Sequence, residues 1–94
     1  MKILITGGSG FIGRNIIKFL GPDYDIYTPT SSQLDLTNPE EVEKYFQNKF
    51  FDVVIHCAIE GGRRNVQDTA FTLQNNLKMF FNLMNNRDRF DRFR

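Results

Sequence analysis

Short apolar runs alternate along the chain with longer segments in which apolar residues recur at helical spacing. The run Lys2–Thr6 is rich in β-branched residues and ends at glycines, as a strand buried on both faces does. In Phe11–Leu20 the apolar positions follow helical spacing, and Gly21-Pro22 then forms a helix stop. The pattern therefore predicts a strand followed directly by an amphipathic helix.

Three further strands are predicted after the first helix. They lie at Tyr24–Thr28, at Leu34–Leu36, where the strand is very short, and at Asp52–Ala58. One helix separates the third strand from the fourth, and another follows the fourth. This alternation is typical of right-handed βαβ crossovers and a parallel sheet. We therefore predict the α/β class, with a partial Rossmann-like parallel sheet of strand order 3-2-1-4 and flanking helices.

The two later helices carry clear sequence signals. The first has Asn38 as N-cap, with proline and two glutamates in its first turn, and should end near Lys49. The second, over residues 69–85, carries an apolar stripe at helical spacing, formed by Leu73, Leu77, Phe80 or Phe81, and Met84. Residues 87–94 alternate arginine, aspartate and phenylalanine without a clear period. We therefore assign residues 1–86 to an N-terminal half-domain and residues 87–94 to a charged, aromatic tail.

Three glycines lie at G-x-x-G-x-x-G spacing between the first strand and the first helix. Gly7 lets the chain turn sharply, Gly10 lets a diphosphate approach the backbone, and Gly13 lets the helix lie close to the sheet. The free N–H groups at the helix start, where Phe11 and Ile12 lie, would then face the diphosphate. We predict a dinucleotide site; the alternative is an ordinary tight turn between a strand and a helix.

Composition and charge exclude several classes of protein. The 94 residues carry 12 basic and 11 acidic side chains, so no general electrostatic argument favours nucleic acid or an anionic membrane. Cys57 is the single cysteine, which excludes an intrachain disulfide. The apolar runs are too short for a membrane span or a secretory signal, and we predict a cytoplasmic protein. No residue cluster has metal-ligand spacing, so no metal site is predicted.

Four segments stand in a characteristic order along the chain: Thr6–Gly13, Leu34–Leu36, Val54–Ala58 and Asn76–Met84. Together they resemble the extended short-chain dehydrogenases/reductases, the NAD(P)-dependent sugar-nucleotide epimerases, dehydratases and reductases. The Gly61-Gly62 loop is similar, more faintly, to the GDP-fucose synthase branch. This resemblance covers nearly the whole chain but specifies no substrate.

The resemblance implies roles for individual residues in cofactor binding. Asp35, with Leu36 beside it, matches the aspartate that usually contacts the adenine; Ala58 ends the strand beside the cofactor, and Asn76 matches the helix asparagine. The cofactor is expected to be NAD(P). NADP is slightly favoured because Ser31 and its neighbours at the end of the second strand include no acid that would repel a 2′-phosphate. If NAD were preferred, Asp35 would instead be the ribose ligand.

The family's chemistry needs a tyrosine and a lysine four residues apart, because the lysine lowers the tyrosine pKa. Tyr45 and Lys49 have this spacing, but they lie on a helix remote from the nicotinamide in the family's arrangement. We therefore predict no catalytic residue in this chain. We expect the NAD(P)-binding portion of a sugar-nucleotide enzyme, incomplete alone, that takes a nucleotide sugar only when a C-terminal half completes it. The alternatives are a non-catalytic module that binds a dinucleotide or a partner, and assembly with a separate catalytic chain.

Several smaller features complete the prediction. His56 is interpreted as a strand-end residue that lines the cofactor site, rather than as a proton shuttle, and Cys57 as a small buried apolar residue. Arg63 and Arg64 would meet a phosphate or lie in a solvated loop. The fourth predicted strand would be an unpaired edge, so self-association is expected unless the 87–94 tail folds back over it.

Overall fold

A computed structural model describes residues 1–60 and 69–94. The predictions made for Gly61-Gly62, Arg63 and Arg64 lie outside the described residues. The helices and strands, in chain order, are β1 (Lys2–Thr6), α1 (Phe11–Leu20), β2 (Asp25–Tyr27), α2 (Pro39–Phe46), β3 (Phe51–His56), α3 (Ala70–Met84) and β4 (Phe90–Phe93). Short 3-10 turns at Gly21–Asp23 and Arg87–Arg89 follow α1 and α3.

The described strands form one parallel sheet with the order β2-β1-β3-β4. This confirms the predicted α/β class and the position of the first strand between the second and the predicted fourth. The chain moves one way from β1 to β2 and the opposite way from β2 to β3 and on to β4. Because such crossovers are right-handed, α1 covers one face of the sheet while α2 and α3 cover the other.

The main hydrophobic core lies between the sheet and the α2–α3 face. Leu4 and Val54 contribute from the two central strands, Val42 and Phe46 from α2, and Leu83 from α3, all with no exposed surface. Burying a side chain of this size stabilises the fold by about 1.5–3 kcal/mol. The core therefore holds the central strands in register, and their carboxyl ends meet at one edge of the sheet.

The predicted third strand at Leu34–Leu36 is wrong. Leu34 and Leu36 are buried in the core and Asp35 is exposed, which is the alternation expected of a strand. However, the backbone bonds of this segment go to turns, and Leu36 O accepts from the buried Asn82 side chain at 2.8 Å. The segment packs like a strand without joining the ladder, so the sheet ends at β2 on this side.

The predicted separate tail at residues 87–94 is also corrected by the structure. Its second half is β4, which pairs in parallel with β3 in a register that joins Phe51 to Phe90. Arg94 extends the pairing: its N–H donates to Val54 O at 2.9 Å, and its C=O accepts from His56 N at 2.8 Å. The edge of β3 that the sequence predicts to be unpaired is therefore covered, and β4 is the edge strand.

Aromatic packing explains why β4 docks against β3. Phe90 is 8% exposed, and its ring lies 6.1 Å from Phe46 and 5.9 Å from Phe93, measured between ring centroids. Asp91 and Arg92 are exposed. The apolar residues are separated by two charged ones, so the segment lacks the period of two that identifies a strand from sequence.

Candidate cofactor site

The turn between β1 and α1 is built around glycines whose missing side chains leave room for backbone. Gly7 has a φ of +70°, and a Cβ placed on it would lie 2.6 Å from Ala58 N. A Cβ on Gly13 would overlap Gly7 O and lie 2.8 Å from Gly8 Cα. These contacts bring the turn against the end of β3 and against the first turn of α1, so both glycines are needed for the fold itself.

Gly10 has a different environment. Its φ of −77° and ψ of 172° are open to any residue, and a Cβ there would meet only Gly7 O, at 3.4 Å. The fold therefore does not require a glycine at this position. The absent side chain leaves space outside the turn, which is where a ligand would approach the backbone.

The first turn of α1 presents backbone donors beside this space. Gly10 is the N-cap and has no side chain to cap the helix, and the first intrahelical bond runs from Arg14 N to Gly10 O at 2.9 Å. The N–H groups of Phe11, Ile12 and Gly13 precede it and have no acceptor within the helix. The turn carries Arg14 and no acidic residue, so the local charge adds to the helix dipole. This arrangement suits a diphosphate.

The segment after β3 is held against the glycine turn by one side chain of β1. The Thr6 hydroxyl oxygen accepts from Cys57 N at 3.1 Å and from Ala58 N at 3.2 Å. It also lies 2.6 Å from His56 Nδ1. Ala58 is thereby placed beside Gly7, so the structure brings the predicted residue at the end of β3 next to the predicted diphosphate turn.

The Asn76 side chain is engaged by the same segment. Its Oδ1 accepts from Glu60 N at 2.7 Å, and its Nδ2 donates to Glu60 O at 3.0 Å. Asn75 reinforces this link because its Nδ2 donates to Glu60 Oε2 at 2.9 Å. Asn76 thus positions the chain that follows Ala58, and a direct contact between Asn76 and the cofactor stays a prediction.

The predicted adenosine-side residues lie on the segment between β2 and α2. Ser31 is exposed. Asp35 Oδ1 accepts from Thr37 N at 3.0 Å and from Thr37 Oγ1 at 2.7 Å, so part of this carboxylate closes a local turn. The Leu36 side chain is buried in the core, which leaves its backbone for any contact with a ligand. The adenine contact proposed for Asp35 and Leu36 stays a prediction.

Two residues that shape the turn are missing from the sequence prediction. A Cβ on Gly8 would overlap the Thr28 side chain and lie 3.1 Å from Ile17 Cδ1. Thr6, as described above, ties β1 to the end of β3. Both roles depend on contacts with residues distant in sequence, so the glycine spacing alone carries no signal for them.

Tyr45 and Lys49 lie near the amino end of β3, at the opposite end of the strands from the glycine turn. The Tyr45 ring stacks on Phe51, which begins β3, with 6.3 Å between centroids and 1° between planes. Burial, and then the nearby Tyr27, raise the pKa of Tyr45, whereas a catalytic tyrosine needs a lowered one. Lys49 Nζ donates to Tyr45 O at 2.8 Å and lies 4.7 Å from the ring centroid. This pair packs against the core and has no access to the candidate site.

Burial favours the neutral form of two titratable groups near the end of β3. Burial lowers the pKa of His56 and raises the pKa of the Cys57 thiol. In residues 1–60 and 69–94, no three His, Cys, Asp or Glu side chains are grouped as metal ligands would be.

A polar groove of about 620 Å³ lies between α2 and the end of α3 and is lined by Glu43 and Asn85 among others. It includes none of the predicted site residues.

Comparison with known proteins identifies the family. The sequence profile described as the NAD dependent epimerase/dehydratase family matches residues 3–91. The chain belongs to this family. Membership confirms the resemblance on which the sequence prediction rests, and with it a nicotinamide dinucleotide as the class of cofactor that this family uses.

The chain matches only part of the length of the proteins to which it is similar. The chain is 41% identical over 86 residues to GDP-L-fucose synthase from Azorhizobium caulinodans and 36% identical over 87 residues to GDP-L-colitose synthase from Yersinia pseudotuberculosis. These matches cover 88% and 89% of this chain but 28% of each relative. The structure of MlghC, GDP-mannoheptose C4 reductase from Campylobacter jejuni with NADP bound, superimposes with a TM-score of 0.76 at 28% identity over 90% of this chain and 26% of that one.

The chain therefore spans roughly a quarter of the length of these similar proteins. Each helix in the described ranges is too short or too polar to span a lipid bilayer.

Proposed function

We propose that this chain is the NAD(P)-binding portion of a sugar-nucleotide epimerase, dehydratase or reductase. One observation carries the proposal: the open side of Gly10 lies beside three backbone N–H groups, those of Phe11, Ile12 and Gly13, that have no acceptor in their helix. A strand, a glycine turn and a helix N-terminus in this order form a diphosphate site without any charged ligand.

The proposed cofactor contacts follow from this position. The diphosphate would be held by the N–H groups at the start of α1, the adenosine side by Ser31, Asp35 and Leu36, and the side toward β3 by Ala58. When bound, the dinucleotide supplies hydride transfer. The residues of this chain bind and orient it: Thr6 holds Ala58 against the glycine turn, and the rigid ends of β1 and β3 set the spacing of the contacts.

We propose NADP as the preferred cofactor. Thr30, Ser31 and Ser32 are exposed at the end of the second strand and include no carboxylate to repel a 2′-phosphate. MlghC, described above, is a relative with NADP bound, which supports this choice.

The proposed substrate class is a nucleotide-linked sugar, and it concerns the enzyme as a whole. The relatives named above are GDP-sugar synthases and a GDP-mannoheptose reductase, which supports this class. For the 94-residue chain we propose binding without turnover, because its one Tyr-x-x-x-Lys pair is partly buried at the end of the sheet opposite the glycine turn. The cytoplasmic location also stays a prediction from sequence.

The proposed diphosphate site is tested by Gly10→Val in the 94-residue chain. The backbone angles of Gly10 are open to any residue, so the variant should keep the circular dichroism spectrum of the parent, with a melting temperature lowered only by the poorer N-cap. Its side chain would occupy the space in which the diphosphate lies. NADP titration should therefore show at least a tenfold weaker binding, equivalent to about 1.4 kcal/mol.

Lys18→Val is the matched control, because it introduces the same side chain at an exposed position in the last turn of α1. This control should bind NADP as the parent does. Equal affinity of the parent and the folded Gly10→Val variant would reject the site.

A further inference from the structure

One hydroxyl group joins three partners where β1 and β3 end. Thr6 is 2% exposed, and its Oγ1 lies 3.1 Å from Cys57 N, 3.2 Å from Ala58 N and 2.6 Å from His56 Nδ1. The strands place these groups together, because Thr6 and His56 are directly paired in the register of β1 and β3. The cluster therefore belongs to the rigid part of the sheet.

The number of hydrogens in this cluster decides the direction of each bond. A threonine hydroxyl has one hydrogen and two lone pairs. Backbone N–H groups can only donate. The Cys57 N–H is shared between Thr6 Oγ1 and the backbone O of Thr6, each at 3.1 Å, and with the bond from Ala58 it occupies the lone-pair side of Oγ1. The hydroxyl hydrogen is then the one directed at His56, and the arrangement that satisfies every group in the cluster has Nδ1 as the acceptor. A neutral imidazole that accepts at one nitrogen carries its hydrogen on the other.

We propose that the Thr6 hydroxyl locks His56 as the neutral tautomer with its hydrogen on Nε2. His56 is then a hydrogen-bond donor, rather than a cation or a base at Nδ1, at the carboxyl edge of the sheet beside the candidate cofactor site. Thr6 is the positioning residue in this pair, and it acts on His56 through a single short bond.

Two further observations support the lock. The His56 ring is partly buried against Phe93 of β4, with 6.1 Å between ring centroids, so β4 restricts rotation of the ring away from Thr6. Protonation of Nδ1 would place two hydrogens between Nδ1 and Thr6 Oγ1 and break their bond. This agrees with the direction in which burial moves the pKa of His56, which is downward.

The lock has a consequence for the cofactor, and this part rests on the proposed function. A neutral His56 adds a directional donor near Ala58 but no positive charge. Attraction of the diphosphate would then come from the backbone N–H groups at the start of α1, which form the positive end of the helix dipole, and from the Arg14 side chain in the same turn.

His56 is the only histidine of the chain, which makes the tautomer directly measurable. In the ligand-free chain with ¹⁵N-labelled histidine, long-range ¹H–¹⁵N correlation spectra distinguish a protonated ring nitrogen from an accepting one. The expected spectrum at pH 8 shows a single neutral form in which Nε2 is protonated and Nδ1 is not. A parent that carries its hydrogen on Nδ1, or that shows a mixture of both forms, would overturn the proposal.

Thr6→Ser and Thr6→Val separate the effect of the Thr6 hydroxyl group from the effect of the side chain's size. Serine retains the hydroxyl and should keep the single tautomer, whereas valine replaces it with a methyl group of similar size and should give a mixture. A folded Thr6→Val chain with the unchanged tautomer would show that Thr6 does not set it. If Thr6→Val does not fold, the spectra of the parent and of Thr6→Ser decide: both must show Nε2 protonated, and any other result rejects the lock.

NADP titration of the same variants keeps this proposal distinct from the proposed function. The tautomer is read without ligand, so it is confirmed or rejected whether or not the chain binds NADP. A parent with the expected tautomer and no NADP binding would reject the cofactor site and leave the lock intact. A parent that binds NADP while His56 carries its hydrogen on Nδ1 would support the cofactor site and reject the lock.

Discussion

Gly7 and Gly10 differ in what surrounds the side chain that each of them lacks. At Gly7 the space is filled by the backbone of Ala58, and the positive φ adds strain for any other residue. At Gly10 the space is open. Their spacing in the sequence is the same as in any G-x-x-G-x-x-G motif, yet in the structure the fold requires a glycine only at position 7, and the open space at position 10 is what the proposed diphosphate site needs.

Coenzyme preference is also decided by single residues. Ser31→Asp places a carboxylate on the exposed segment that follows β2, where it would repel a 2′-phosphate and accept a bond from a ribose hydroxyl. We expect the ratio of the affinities for 2′-phospho-ADP-ribose and ADP-ribose to fall about tenfold, a change of about 1.4 kcal/mol. Competition against NADP measures both affinities.

Gln47→Asp is the matched control, because it introduces the same carboxylate at an exposed position just after α2, away from the glycine turn. It should leave the ratio of the two affinities unchanged. A parent chain that prefers ADP-ribose would contradict the proposed NADP preference. Asp35 would then become the candidate ribose ligand.

Helix α3 is joined to the rest of the molecule through polar as well as apolar contacts. Asn82 is 8% exposed, and its Nδ2 donates to Leu36 O at 2.8 Å, across 46 positions of sequence. Asn82→Leu would leave this buried carbonyl without a partner, which costs about 1–3 kcal/mol. We therefore expect a lower urea midpoint with an unchanged slope of unfolding free energy against urea.

Asn85→Leu is the control for this prediction, since it makes the same replacement at an exposed position just after α3. It should change the unfolding free energy by less than about 0.5 kcal/mol, as surface substitutions usually do. Equal losses in the two variants would show that the bond to Leu36 is not the source of the effect.

Helices and strands with a clear hydrophobic period are the ones that the sequence predicts with the correct bounds. The bounds of β1 and α1 are as predicted, because an apolar run and a helical stripe meet at the glycines. Leu34–Leu36 shows the alternation of a strand, but its backbone groups bond within turns and to the Asn82 side chain, so it does not join the ladder at the outer edge of β2. β4 has weak periodicity and forms because β3 and Phe46 offer it a site.

The whole molecule exposes apolar side chains on two helices. Phe19 on α1 is 88% exposed, and Leu77 and Phe81 on α3 are 47% and 56% exposed. Five phenylalanines lie in the last third of the chain, at Phe71, Phe80, Phe81, Phe90 and Phe93. The first three of these are exposed, whereas Phe90 and Phe93 pack within the sheet.

Self-association therefore stays a prediction, with β4 now as the edge. Arg94 directs its N–H and C=O toward β3, so by alternation residues 91 and 93 direct theirs to the open side. We expect light scattering at micromolar concentration to show a dimer or larger species. Asp91→Pro, which removes one outward N–H, should shift the mass toward the 11.0 kDa monomer.

Leu77→Glu tests the other exposed surface, the apolar side of α3, and should leave the mass of the associated species unchanged. A loss of association in Leu77→Glu but not in Asp91→Pro would assign it to α3 instead. A monomer at every concentration of the parent would reject self-association.

The class of fold, the glycine turn and the family resemblance could be predicted from the amino-acid sequence. These depend on local periodicity and on short motifs, which a single segment contains in full. Tertiary structure alone decided that residues 90–93 extend the sheet and that Thr6 meets His56. Each of these requires two segments 39 or more positions apart to be brought together by the core, and no local pattern carries that information.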